Sequence, residues 1–181
     1  MNTAFPAIMK DFSITTATVQ WLTTGFMMVN GVMIPISAWL INRFSSKTMY
    51  LWAMLTFLLG TVVSFTAQNF GILLLGRLIQ GIGVGVSMPL LQTIMLSIFP
   101  PEKRGAAMGT VGLVIGLAPA LGPTLSGWIV DNWTWRELFG MIIPIVVAVI
   151  SLAFFFMKSV VPNTHQKIDV ISIITSTIGF G

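Results

Sequence analysis

The sequence predicts an all-α fold, a polytopic integral membrane helix bundle, and three observations carry that expectation. Hydrophobic residues fill 55% of the 181 positions and charged residues only 8%, against about 25% charged in soluble domains. Mean hydropathy is +0.93, so polar surface is too scarce to coat a water-soluble globule. Apolar stretches of bilayer-crossing length, roughly 20 residues each, recur along the chain with short polar connectors between them.

Five spans are predicted, at 18–41, 49–67, 70–99, 105–130 and 138–157. The first stops at Asn42 and Arg43, and the second runs from beyond Lys47 to Gln68 and Asn69. The third ends at Pro100 and Pro101. The fourth starts at Gly105 and stops near Asp131, and the fifth lies between Glu137 and Lys158. Two flanking pieces, 1–9 and 168–181, are each too short to cross and read as the end of one span and the start of another.

Charge orients the spans. Connectors on one side hold Arg43, Lys47, Lys103, Arg104, Lys158 and Lys167, while the other side holds only Lys10 and Arg136, each beside an acid, Asp11 or Glu137. The positive-inside bias places the first group in the cytoplasm. Trp133 and Trp135 then fall at the outer interface, where indole rings are favoured.

Composition also excludes functions. The nine basic residues are scattered, which argues against a nucleic-acid surface. Cysteine is absent, so no disulfide framework or thiol chemistry is available. With one histidine, His165, in a polar connector, neither an enzyme's nucleophile–base pair nor a metal or cofactor site is expected. Residues 1–9 lack a basic start and run into Lys10 and Asp11, so no cleavable leader is expected.

The fourth span is unusual in its small residues. Gly105, Gly109, Gly112 and Gly116 recur at helical spacing and share one face, before Pro119, Gly122, Pro123 and Gly127. These residues break helices in water but survive in lipid where close-packed neighbours re-satisfy the backbone. The expectation is a helix that presses tightly on others and bends. Gly81 and Gly85 form a second close-packing pair in the third span.

Arg77 lies about seven residues into the third span, at a depth where arginine costs about 2.5–3.5 kcal/mol. It is either a proton-coupling or substrate group, or a structural cation held by carbonyls and Gln80. No carboxylate lies within any span to pair with it. Gln80, Asn30 and Gln92 are the other strong polar groups at depth, each either lining a path or bridging helices. Asn30 is favoured for a path role because it adjoins the flexible, polarizable Met27 and Met28.

Several motifs resemble the major facilitator superfamily, and specifically its fourteen-helix drug:proton antiporter branch. Asn2-Thr3-Ala4-Phe5-Pro6 resembles the end of the branch's first-helix motif, and Ser37 through Lys47 the cytoplasmic loop motif between helices two and three. Arg77-Leu78-Ile79-Gln80-Gly81-Ile82-Gly83 is similar to the fourth-helix motif. Gly109 through Pro119, Gly122, Pro123 and Gly127 resembles the antiporter motif of helix five. Trp133 through Phe139, with Pro144, resembles the approach to helix six, and Asp169 the start of an extra helix. The chain departs from the pattern at Ala38, Asn42 and Ser45, at Ala118 and Ser126, and at Ile142.

The resemblance implies an incomplete major facilitator-type amino-terminal domain. Residues 1–157 would hold the end of helix one and helices two to six, and 158–181 a cytoplasmic connector and the start of helix seven. It implies proton-coupled efflux of amphipathic drugs or toxic compounds, often cationic, by alternating access across the cytoplasmic membrane. The partners would be a small-molecule substrate, protons, the lipid bilayer and the remaining half of the transporter, with the acidic coupling residue outside this chain. Asn42, Arg43 and Lys47 would form a cytoplasmic gate, and Arg77 the coupling site. A superfamily transporter of other cargo or direction, or a truncated fragment that does not transport, are the rival expectations.

Overall fold

The computed structural model describes residues 2–157, whose regular structure is all helical with no strand among them. A 3-10 turn at Asn2–Ala4 leads into α1 (Phe5–Phe12). There follow α2 (Thr16–Arg43), α3 (Ser46–Phe65), α4 (Phe70–Ile98), α5 (Pro101–Asn132), α6 (Glu137–Gly140) and α7 (Ile142–Phe156). Five stretches are long and apolar enough to cross a membrane: α2, α3, α4, α5 and the run Glu137–Phe156. They coincide with the five predicted spans. The predicted connector and seventh-helix start, with Lys158, His165, Lys167 and Asp169, lie outside the described residues.

Polar connectors set the boundaries by capping. Thr15 Oγ1 accepts from Thr18 N, Ser45 Oγ from Thr48 N and Asn69 Oδ1 from Ile72 N. Each of α2, α3 and α4 thus begins on a side chain that satisfies an otherwise orphaned amide. Ser45, a departure from the resembled loop motif, serves here as a cap. α5 begins at Pro101 instead, where a missing N–H is no loss.

The last span is broken in two. Pro144 has no N–H, and its ring crowds the carbonyl four residues back, that of Gly140. α6 ends at Gly140 and α7 starts at Ile142. By contrast, α2, α4 and α5 continue through Pro35, Pro89, Pro119 and Pro123.

α4 is the centre of the bundle, with α3 and α2 packed along it. Glycine makes the α3–α4 approach possible. A Cβ added at Gly60 would stand 2.6 Å from both Gln80 N and Gly76 O, and one at Gly83 would stand 2.6 Å from Ala53 O. Gly81 and Gly85 hold α2 in the same way, with an added Cβ only 3.0 Å from Phe26 O or Asn30 O respectively.

The expected close contact around α5 is not made by the described residues. A Cβ at Gly105, Gly109, Gly112, Gly116, Gly122 or Gly127 meets nothing within 4 Å, and no residue of α5 is buried. A small-residue face needs a facing backbone, and α2 and α3 lie against α4. α5 meets its neighbours only over short stretches.

The two ends of the bundle differ. At one, Arg136 joins Asp11 and the Ala67 carbonyl, above a core of Ile8, Val19, Leu22, Leu73, Trp135 and Phe139. At the other, Lys47 Nζ donates to the Phe154 carbonyl at 2.6 Å, near a core of Ile41, Met49, Ala53, Val86 and Leu90. The charge pattern separates the same two groups, Arg136 and Asp11 at one end and Lys47 at the other.

Candidate functional site

Helical spacing places Arg77 one turn beyond Leu73 and one turn before Gln80, on the side of α4 that meets α2. Its guanidinium carbon lies 4.2 Å from the centroid of the Phe26 ring, a cation–π distance. Nε donates to the Leu22 carbonyl at 3.4 Å, and Nη1 donates to Gln80 Oε1 at 2.7 Å. Gln80, 1% exposed, donates from Nε2 to Thr61 Oγ1 of α3 at 2.8 Å. The charge is therefore held by an aromatic face, a carbonyl and an amide. Among the described residues, no carboxylate pairs with it.

Arg77 opens onto a cavity of about 410 Å³ between the amino-terminal turn, α2, α4 and α5. Thr3, Thr23, Phe26, Met27, Ala118, Pro119, Gly122, Pro123 and Ser126 complete its wall, and among the described residues Arg77 is the one charged residue that lines it. Ser126, another departure from the resembled motif, shares a 2.6 Å hydrogen bond with Thr3 Oγ1 across the cavity wall. A cation held at this cleft attracts any carboxylate or dipole that enters it.

The structure divides the predicted path residues. Arg77 and Met27 share the cavity with Pro119, Gly122 and Pro123, and Gln80 stands behind Arg77. Met28 faces a separate apolar groove with Trp21, Gly25 and Leu78. Asn30 sits against Gly85 at the α2–α4 contact, away from the cavity, and Gln92 is exposed. Gly109, Gly112, Gly116 and Gly127 do not line the cavity.

The predicted gate residues each engage a different partner. Asn42 Nδ2 donates to the Ala38 carbonyl of its own helix at 3.0 Å. Arg43 stacks over Trp39, 5.3 Å from its ring centroid. Lys47 joins the last turn of α7. Among the described residues, no hydrogen bond connects the three.

Sequence reasoning missed Thr61 and the Gly60, Gly76 and Gly83 contacts. Gly60 with Ser64 is a small-residue pair at helical spacing, a signal that was available. Thr61 gave no signal beyond being polar within a span. Among the described residues, no cluster of His, Cys, Asp or Glu could hold a metal ion.

Five membrane-length helices, three of which line a cleft with one held cation, mark a multi-pass membrane protein. The chain belongs to the Major Facilitator Superfamily, which it matches over residues 1–179. It is 52% identical over 179 residues to an uncharacterized MFS-type transporter, YcnB, of Bacillus subtilis, covering 99% of this chain and 38% of that one. It is 44% identical over 181 residues to the lincomycin resistance protein LmrB of Bacillus subtilis, covering 100% and 38%. Against the multidrug export protein EmrB of Escherichia coli, identity is 30% over 181 residues, covering 99% and 35%. The chain spans a little over a third of the length of these relatives.

Proposed function

We propose that this chain forms most of the amino-terminal bundle of a proton-coupled exporter of amphipathic drugs or toxic compounds in the cytoplasmic membrane. Residues 1–157 are assigned to the bundle. Residues 158–181 are assigned, from sequence, to the connector and the start of a seventh helix.

The observation that carries this reading is Arg77 at its cleft, without a carboxylate beside it among the described residues. An intramembrane cation is functional by default. Here it would attract an acid supplied from outside these residues, or the polar head of a cargo. Protonating such an acid would loosen its hold on Arg77 and let the bundle rock, the usual basis of alternating access around a midplane site. The uncovered glycine face of α5 is assigned to the remaining half of the transporter. The name of the EmrB relative speaks of multidrug export and that of LmrB of lincomycin resistance, which supports this reading.

The test is accumulation of ethidium, and growth in lincomycin, by pump-deficient bacteria expressing the full-length protein. Expected are low accumulation that rises with a protonophore, and loss of the difference in Arg77→Ala at normal membrane content. Unchanged export in Arg77→Ala would overturn the assignment of Arg77. Protonophore-insensitive export would overturn proton coupling.

A further inference from the structure

Gln80 can satisfy its surroundings in only one orientation, and Thr61 decides which. Thr61 is fully buried, and its hydroxyl donates to the Phe57 carbonyl of its own helix at 2.8 Å. With that proton committed, Oγ1 is left to accept, and Gln80 Nε2 donates to it at 2.8 Å. Gln80 Oε1 must then point the other way, where it accepts from Arg77 Nη1 at 2.7 Å. The flipped amide would set its NH2 against a guanidinium that can only donate, and its oxygen against a hydroxyl whose proton is spent elsewhere. The backbone approach at Gly60 and Gly76 brings α3 near enough for this chain of bonds.

We propose that Thr61 is a positioning residue for Arg77: through Gln80 it fixes where the guanidinium stands in the cavity. The role rests on reading Arg77 as the coupling or cargo-binding group. No acid or base lines the cavity from the amino-terminal turn, α2 or α5, and Thr61 and Phe57 are the α3 groups in the relay. The Thr61 hydroxyl is thus a remote handle on the Arg77 position that changes no charge.

The test compares Thr61→Val, Thr61→Ala, Thr61→Ser and Arg77→Lys in the full-length protein. Ethidium transport into inverted vesicles is followed against pH, with membrane content measured for each variant. Thr61→Val and Thr61→Ala are expected to slow transport about tenfold, the scale of one buried hydrogen bond lost, and to displace the pH profile. Thr61→Ser is expected to restore both. Should valine not accumulate in the membrane, alanine and serine differ only by the hydroxyl and decide the matter. Normal rate and profile in Arg77→Lys would overturn both the positioning role and the reading beneath it. An impaired Arg77→Lys with Thr61→Val or Thr61→Ala like wild type would overturn the positioning role alone. So would a Thr61→Ser as impaired as alanine.

Discussion

Arg136 Nη1 donates to Asp11 Oδ2 at 2.9 Å across 125 positions of chain, passing over Glu137, the acid beside it in sequence. Trp135 Nε1 donates to the same carboxylate oxygen at 3.0 Å, and Arg136 Nη2 donates to the Ala67 carbonyl at 3.1 Å. One carboxylate and one guanidinium therefore tie the last turn of α1 to the connectors that precede α4 and α6.

The clamp gives a pH dependence of known sign. The Trp135 hydrogen bond, helped by that of Arg136 and its charge, holds Asp11 below its ordinary 3.8. Its folded form is more acidic than its unfolded form, so the contribution is present above about 3.8. It is lost as pH falls through the lowered value. Both partners are a third or more exposed, so solvent screening keeps the effect small. Asp11→Asn is expected to cost under about 1 kcal/mol at pH 7. Thermal unfolding in detergent at pH 7 should show a lower Tm than wild type, and an unchanged Tm would refute the clamp.

Gly60→Ala should be severe. Its new methyl meets backbone at 2.6 Å on two sides, and backbone cannot swing away as a side-chain tip can. Separating α3 from α4 is expected to cost at least about 1–3 kcal/mol, read as a Tm loss of the purified protein. It should also break the Thr61–Gln80 bond.

Gly116→Ala is the contrast. The added methyl meets nothing within 4 Å, so Tm is expected to hold or rise, since alanine favours a helix by up to about 1 kcal/mol over glycine. Gly116→Leu should likewise insert normally yet abolish export, through contact with protein beyond these residues. Normal export in Gly116→Leu would count against assigning that face to the remaining half.

Lys47→Met should loosen the cytoplasmic end. The ammonium donates to the Phe154 carbonyl and lies 5.4 Å from the Phe154 ring centroid, close to the negative end of α7. Methionine keeps much of the apolar stem and removes the donor. A loss of about 0.5–1.5 kcal/mol is expected, seen as earlier proteolytic cleavage after α7. Topology should hold, because Arg43, Lys103 and Arg104 remain. An unchanged cleavage rate would refute the tether.

Much of the fold was legible in the chain. Span number followed from apolar length, because insertion into lipid depends on local composition. The break at Met141 was not foreseen, although Pro144 was in view. The cavity was half legible: Arg77, Met27, Pro119, Gly122 and Pro123 were named in advance, but Met28 and Asn30 proved to face elsewhere. Neighbouring positions on a helix point about 100° apart, and an all-round apolar pattern does not say which direction is inward.

By itself, the sequence determined a multi-pass helical membrane protein of the Major Facilitator Superfamily, with its spans and a cation within one of them. Only the tertiary structure decided that Gly60, Gly76 and Gly83, rather than the α5 glycines, carry the close packing here, and that Arg77 is held through Gln80 to Thr61. Hydropathy and charge act residue by residue along the chain. A backbone contact or hydrogen-bond relay exists only once particular helices lie side by side, and no local signal names the neighbour.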